Sequence, residues 1–136
     1  MDRSKIFRLR ILPERLAVCR LTAGDEIPLD DRGAFYSVTR VGEVRSVVCR
    51  ESVVPAGTRA EGPWRALEVE GPLDFALTGV LASLAQTLAD AGISIFAIST
   101  FDTDYILVKA ESLPRAVDAL RRAGHDVEDN PGARSS

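Results

Sequence analysis

Residues 65–108 read RALEVEGPLDFALTGVLASLAQTLADAGISIFAISTFDTDYILV, and this stretch decides the fold. Its first six residues alternate apolar and polar side chains, the pattern of a half-buried strand. After Gly79, apolar residues recur every three or four positions, which predicts an amphipathic helix. Thr78 is a suitable N-cap for that helix, and Gly92 is placed to end it.

Three further strands and a second helix are predicted around this segment. Residues 93–98 and 105–108 are mostly apolar and flank the polar residues 100–104, which predicts a strand, a turn and an antiparallel return strand. Ser112 then caps a second helix with a proline in its first turn, and residues 125–128 form a last short strand. The order β-α-β-β-α-β is that of ferredoxin-like α+β folds, in which two helices cover one face of an antiparallel sheet.

The amino-terminal half reads as strands without a comparable helix. When the halves are aligned, residues 35–36 lie over 95–96 and residues 47–52 lie over 107–112, so a strand pair and a Glu-Ser dipeptide recur. The repeat predicts a second, degenerate ferredoxin-like unit. Its predicted elements are strands at residues 6–12, 16–21, 35–40 and 45–50, a hairpin turn at 41–43, at most a short helical turn within 24–33, and a loop over 53–63.

The chain is therefore expected to hold two units and a tail. The predicted divisions are an amino-terminal unit over residues 1–63 whose last strand lies near 64–70, a second unit over 64–129, and a disordered tail over 130–136.

Composition argues against several classes of function. The 17 Lys and Arg residues are outnumbered by 20 Asp and Glu, and the net charge of −3 gives no long-range attraction for nucleic acid or an anionic membrane. With one histidine and two cysteines, the chain cannot build a His/Cys zinc cage by itself. We expect no cofactor.

The sequence predicts a cytoplasmic protein. Residues 1–10 lack the apolar core of a secretory signal, and the longest uncharged stretch, residues 75–89, is too short and too polar to span a bilayer. Cys19 and Cys49 each lie in an apolar run, which favours buried, reduced thiols over a redox role.

Catalytic interpretations find little support. His125 beside Asp126 resembles a base with an orienting carboxylate, but no nucleophile is near in sequence, so we expect no catalytic residues. Asp102 and Asp104 are open to three interpretations: local turn bonds, contact with a ligand's ammonium group, or metal coordination, for which two carboxylates are weak support. We expect no metal site.

Gly79 is also open to two interpretations. A residue without a side chain at a helix N-terminus lets an anion approach unpaired amides and the positive end of the helix dipole. An ordinary strand-to-helix turn requires a glycine for its own geometry, however, and position alone does not separate these two roles.

The motifs at residues 77–82 (LTGVLA), 91–96 (AGISIF) and 99–105 (STFDTDY) resemble those of the ACT domain superfamily. More narrowly, the chain is similar to small tandem-ACT proteins related to the ACT pair of aspartate kinases and to the eukaryotic cytosolic arginine sensor. The resemblance is close over residues 64–128 and loose over 5–63, and the shortened segment 24–33 departs from a full ACT unit.

The resemblance implies a non-catalytic regulatory protein that binds a small molecule, normally a free amino acid, at an interface between ACT units. It implies a homodimer and a separate regulated partner protein, because no enzyme is fused to the units. The alternative is a protein–protein interaction module without a small ligand. The residues that the resemblance assigns to the ligand are Thr78, Gly79, Val80, Leu81, Ile93, Ser94, Ile95, Thr100, Phe101 and Asp104.

Overall fold

A computed structural model describes residues 6–28, 34–70 and 79–129. It confirms the predicted α+β class with antiparallel strands. The elements are β1 Arg8–Ile11, β2 Leu16–Leu21, β3 Ser37–Val41, β4 Val44–Arg50, β5 Arg59–Val69, α1 Val80–Asp90, β6 Ile95–Ser99, β7 Asp104–Lys109, α2 Leu113–Arg122 and β8 Asp126–Asp129, with 3-10 turns at Glu51–Val53 and Ala110–Ser112.

Two compact units divide the chain. The first, called the helix-bearing unit, consists of Met1–Pro13 and Arg65–Ser136, and the second, the all-strand unit, consists of Glu14–Trp64. Strand β5 contributes its amino-terminal half to the all-strand unit and its carboxy-terminal half to the helix-bearing unit.

The helix-bearing unit is a five-stranded sheet in the order β6-β7-β5-β1-β8. Strand β1 is antiparallel to β5 and β6 is antiparallel to β7, whereas β1 and β8 are parallel. Both helices pack on one face, where their apolar stripes meet strand side chains at alternate positions, such as Ile106 and Val108. This core contains Leu9, Ile11, Leu67, Val69, Val80, Leu84, Leu88, Ile93, Ile106, Val108, Ala116, Leu120 and Val127.

Strand β1 lies between β5 and β8, with Leu9 opposite both Val69 and Val127. The sequence predicts residues 6–12 in the amino-terminal unit, and the pairing instead places this strand in the helix-bearing unit. The reason is that an alternating apolar pattern states which face of a strand is buried and does not state which strands it pairs with.

Helix α1 begins at Val80, whereas a cap at Thr78 would start it one residue earlier. Gly79 is the N-cap, with φ of +82°, and no side chain caps the helix; the predicted cap, Thr78, lies outside the described residues. At the other end Gly92 has φ of +74°, and the Ile93 amide donates to the Leu88 carbonyl. The Arg115 guanidinium also donates to the Ala91 carbonyl, so α2 helps to close the end of α1.

Helix α2 follows the prediction closely. Ser112 occupies the N-cap position, although its side chain makes no capping bond, and a proline lies in the first turn. Ala116 and Leu120 are fully buried on the helix's apolar face.

The all-strand unit is an antiparallel sheet in the order β3-β4-β2-β5. A 3-10 turn stands where the helix-bearing unit has an α-helix, and no α-helix occurs among residues 14–28 and 34–64. Its small core is formed by Ala17, Cys19, Leu21, Val47 and Cys49.

The prediction of a loop over residues 53–63 is wrong for residues 59–63, which belong to β5. Gly62 explains why this Gly-Pro segment can be a strand. A Cβ built on Gly62 would lie 2.9 Å from the Leu16 carbonyl oxygen, so only glycine allows β5 to approach β2 this closely. The β2–β5 register shifts at the same place, between Leu16 and Val18.

The two units share one local feature that agrees with the predicted repeat. Strands β4 and β7 each lead directly into a 3-10 turn, at Glu51–Val53 and Ala110–Ser112. The residues before these turns have nearly equal backbone angles: φ −58° and ψ 135° at Arg50, φ −57° and ψ 142° at Lys109. The repeated Glu-Ser dipeptide lies within these turns.

The thiols of Cys19 and Cys49 are both buried, and neither forms a disulfide. Burial raises the pKa of Cys19, and burial together with the neighbouring Cys19 thiol raises the pKa of Cys49 to about 12. Because thiolates are the reactive form, neither side chain is activated. Within the described ranges, no helix has the length and apolar character needed to cross a membrane.

Candidate functional site

The N-terminus of α1 presents backbone at an open surface. Gly79 is exposed, and a Cβ built on it would meet none of the described residues within 4 Å. Its positive φ favours glycine for backbone geometry, while no described side chain occupies the space above it. Val80 is buried and Leu81 packs against the core, so both orient the helix end more than they present side chains to solvent.

The turn between β6 and β7 is closed by Thr100 and Thr103. The Thr100 amide and hydroxyl both donate to the Thr103 carbonyl, each at 2.9 Å, and the Thr103 amide donates back to the Thr100 hydroxyl at 3.2 Å. The Thr100 hydroxyl is thus engaged inside its own turn.

Thr103, which sequence reasoning did not select, ties this turn to the sheet. Its side chain is buried, and its hydroxyl donates to the Val69 carbonyl at the end of β5. A threonine within a polar turn carries no sequence signal for such a bond, because the bond depends on which strand lies next to β7.

Asp104 is half-buried and accepts a 2.7 Å hydrogen bond from the Ser99 hydroxyl, its partner across the β6–β7 pair. Asp102 and Phe101 are exposed at the tip of the turn, and the Phe101 side chain retains 80% of its accessible surface. Asp104 is therefore held in place by a structural bond, and an exposed aromatic residue and a second acidic residue precede it in the same turn.

The remaining predicted residues lie at the other end of β6. Ile93 is buried, Ser94 is exposed, and Ile95 packs partly on the core. Because β6 spans Ile95–Ser99, about 13 Å of strand separates Ile95 from the turn. The structure thus divides the predicted residues into a turn group and an Ile93–Ile95 group that one small ligand cannot touch together in a single copy of this unit.

A polar network on the sheet face opposite the helices was missed by sequence reasoning. The Tyr105 hydroxyl donates to Glu68 at 3.0 Å, and the Arg10 guanidinium donates to the other Glu68 oxygen. Burial, followed by the Glu68 contact, raises the pKa of Tyr105 to about 12, and Glu68 also raises the pKa of Arg10. This network pairs Glu68 with both other groups, which is a structural use of the three side chains.

His125 is part of the packing. The Phe7 amide donates to His125 Nδ1 at 3.0 Å, the two rings stack at 5.8 Å, and the imidazole is buried. Burial lowers the pKa of His125, so the ring is neutral at physiological pH with Nδ1 already occupied as an acceptor. In the part of the chain that the structure describes, no three His, Cys, Asp or Glu side chains are grouped to hold a metal ion.

Comparison with known proteins gives two family matches. A family model described as an ACT domain matches residues 59–122. A second model, which describes an N-terminal domain, matches residues 14–57. The boundary between the matches falls close to that between the two compact units.

Individual relatives agree with these matches. Protein Atu0741 from Agrobacterium tumefaciens is 35% identical, with a TM-score of 0.84 over 93% of this chain and 96% of that chain. The regulatory subunit of aspartate kinase from Thermus thermophilus shares the fold, with a TM-score of 0.58 at 13% identity over 85% of this chain and 96% of that chain. The Homo sapiens cytosolic arginine sensor for mTORC1 subunit 1 is 38% identical over 60 residues, which are 43% of this chain and 18% of the sensor's length.

Proposed function

Because the chain belongs to the ACT-domain family, we propose that it is a non-catalytic regulatory protein that binds a free amino acid. The observation that carries the proposal is the exposed backbone at Gly79, a helix N-terminus at which no described side chain makes a capping bond or lies within 4 Å of an added Cβ. Such a terminus supplies amide donors and positive dipole for a carboxylate. A relative named as an arginine sensor supports the choice of ligand class.

Recognition of an amino acid also requires an acceptor for its ammonium group. Asp104 is the acidic side chain that we assign to this role, since its Oδ1 accepts from Ser99 and the bond fixes its orientation. The exposed ring of Phe101 lies in the turn that leads to Asp104 and supplies apolar surface for the ligand's side chain.

A homodimer brings the two groups of site residues together. About 13 Å separates Ile95 from the turn within one copy, so we assign Gly79, Phe101 and Asp104 of one subunit and Ile93–Ile95 of another to the same ligand. Binding at such an interface favours the assembled state over the separate one, and a cytoplasmic partner protein that distinguishes the two states receives the signal.

The first test is thermal unfolding in the presence of each of the twenty amino acids. A ligand at about 100 times its Kd adds about 2.7 kcal/mol of stability, which shifts the midpoint by several degrees. Selective stabilisation by one amino acid or one chemical class is expected. No shift from any amino acid at millimolar concentration would contradict the proposal.

Two matched glycine variants locate the site. Gly79→Asn and Gly92→Asn each place a side chain that tolerates positive φ on a glycine with nothing within 4 Å, at opposite ends of α1. We expect Gly79→Asn to abolish the ligand-induced shift and Gly92→Asn to preserve it. Equal responses in the two variants would remove Gly79 from the site.

Mixing variants tests the shared interface. Gly79→Asn and Ser94→Arg should each abolish binding in their own homodimers. In a re-equilibrated equal mixture, half of the dimers are mixed and one of their two sites carries both changes, so about a quarter of the binding capacity should return. No recovery would place both groups within one subunit's site.

A protein-interaction module without a small ligand is the second candidate, and strand β3 supports it. Val38 and Val41 on this strand remain 46% and 76% exposed, and β3 ends the order of strands in the all-strand unit. Exposed apolar strand edges are surfaces on which another chain can pair. This candidate predicts no amino-acid stabilisation.

A further inference from the structure

Two arginines face each other in the all-strand unit. Arg20 on β2 and Arg59 on β5 are directly opposed in the antiparallel register, so both side chains project from the same face of the sheet. Ser46 on β4 is the register partner of Arg20 and continues the row on that face. Like charges directly opposite each other on a sheet are destabilising unless something lies between them.

Neither guanidinium has an acidic partner in the described ranges, and this distinguishes the pair from a second one nearby. Arg40 and Arg45 are also directly opposed, on β3 and β4. Arg45, however, donates to the Thr22 and Asp25 carbonyl oxygens at 2.8 and 3.2 Å, so its hydrogen-bonding capacity is used by the fold. Arg20 and Arg59 make no comparable bond to the residues that the structure describes.

Two clefts meet at the Arg20–Arg59 pair. One, of about 360 Å³, extends from the pair toward Thr22 and the loop at residues 55–58. The other, of about 310 Å³, extends along the sheet past Ser46. Each cleft has room for a small metabolite, and hydroxyl groups are present in both.

Three acidic side chains line the clefts, and one of them, Asp25, is engaged by its own turn. Asp25 accepts from the Thr22 amide at 2.8 Å and from its hydroxyl at 3.1 Å, and these bonds lower the pKa of Asp25. Its carboxylate is therefore directed to its own turn. Glu26 lines the same cleft, and Glu61 lines the other one.

We propose that Arg20 and Arg59 form a binding site for a small dianion that carries a phosphate group or two carboxylates. Two guanidiniums offer forked N–H donors to several oxygens of one ligand, and the ligand's charge removes the repulsion between them. This site is separate from the amino-acid site at Gly79 and does not depend on it.

The test is thermal unfolding of the full chain titrated with inorganic phosphate or with succinate, against sodium chloride at equal ionic strength. We expect a saturable stabilisation by at least one dianion with half-saturation near or below about 1 mM. Comparing the titrations with phosphate and succinate shows whether the site takes a phosphate group or two carboxylates. A response that chloride reproduces would overturn the proposal.

Three variants make the test specific. Arg20→Gln and Arg59→Gln should each weaken the dianion at least about tenfold while leaving the unliganded midpoint unchanged or raised, because one charge of a repelling pair is gone. Arg40→Gln is the matched control from the other opposed pair and should retain the response. Glu26→Gln should strengthen dianion binding by removing a negative charge from the rim.

The unfolding midpoints of the variants without ligand also show whether a lost response comes from a destabilised fold. A lowered unliganded midpoint in both Arg20→Gln and Arg59→Gln would show that the arginines stabilise the fold, and would overturn the proposal. An equal loss of dianion response in Arg40→Gln would assign the effect to general charge and overturn it as well.

Discussion

The helix-bearing unit and the all-strand unit each contain a strand that ends in a 3-10 turn, and they differ in the element after that turn. After Ala110–Ser112 the chain forms α2, whose Ala116 and Leu120 complete a large aliphatic core. After Glu51–Val53 it passes Pro55 and Gly57 and becomes a strand, and the cluster described there has fewer buried residues.

The helix-bearing unit therefore covers its sheet with two helices, whereas no α-helix occurs in the described part of the all-strand unit. A sheet face without helices leaves backbone and charged rows accessible, and the Arg20–Arg59 pair lies on such a face. The unit that keeps its helices instead offers a helix N-terminus at Gly79. The two units therefore expose different polar groups, a pair of arginines in one and a helix N-terminus in the other.

The largest expected effect is on the helical core. Leu84 on α1 and Val47 on β4 are both fully buried, one in each unit's core. Leu84→Ala should lower the free energy of unfolding by about 3 kcal/mol and Val47→Ala by about 2 kcal/mol, because the first removes more buried methylene groups. Urea unfolding followed by far-UV circular dichroism measures both.

Leu81 supplies the control for this pair. It lies on the same helix as Leu84 but is only half-buried, so Leu81→Ala should cost less than Leu84→Ala. If Val47→Ala proves the more damaging change, the all-strand core would be the more important of the two, and core size would not explain the difference between the units.

A second, smaller effect concerns how strands approach each other in the all-strand unit. Gly62→Ala would place a methyl group 2.9 Å from the Leu16 carbonyl oxygen, and backbone must shift to admit it. We expect a loss of about 2 kcal/mol in urea unfolding.

Gly42, in the β3–β4 hairpin, is the control that separates the cost of backbone strain from the cost of steric contact. Its φ is +61° and nothing lies within 4 Å of an added Cβ. Gly42→Ala should therefore cost only about 1 kcal/mol, and Gly42→Asn less. A cost for Gly62→Ala below that of Gly42→Ala would argue against the close approach of β5 to β2.

The smallest effects are pH dependences that differ between the units. His125 in the helix-bearing unit has a pKa below its ordinary 6.5, because burial disfavours the charged ring. The unfolded chain therefore takes up the proton first, so stability is full above pH 6.5 and falls as the pH drops below it. His125→Phe should remove this slope and cost on the order of 1 kcal/mol at pH 8, since the Phe7 amide loses its acceptor. Urea unfolding at a series of pH values measures both effects.

Asp25 in the all-strand unit affects stability over a more acidic pH range. Hydrogen bonds from Thr22 lower the pKa of Asp25 below its ordinary 3.8, so the stability it contributes is present above pH 3.8 and is lost as the pH falls through the lowered value. In the same pH series, Asp25→Asn should be less stable than the unsubstituted protein at neutral pH and equal to it in strong acid. A difference that persists in acid would attribute the effect to shape and not to charge.

Much of the fold is readable from periodicity. The helical spacing around Leu84 and the alternation in residues 65–70 identify α1 and the second half of β5 within a few residues. The sequence does not show which strands pair with β1, because Leu9 and Ile11 fit any sheet that has one buried face. The strand at residues 59–63 is hidden by Gly62 and Pro63, whose usual meaning is a turn.

The sequence predicts which residue types belong to the candidate site, but it does not predict the contacts between them. Gly79 and Asp104 are selected by their position in a motif, whereas the Ser99–Asp104 bond and the anchoring of Thr103 to Val69 depend on strand register. The opposition of Arg20 and Arg59 is of the same kind, since nothing in a linear sequence marks two arginines so far apart as neighbours.

The position of β1 between β5 and β8 has a consequence for synthesis on the ribosome. The Phe7 amide donates to His125, 118 residues later in the chain, so this hydrogen bond can form only after His125 has been synthesised. The all-strand unit needs only residues 14–64 and can close while the rest is still being translated. We therefore expect the helix-free unit to form first, with the edge of β1 that pairs with β8 left open until the ribosome has passed β8.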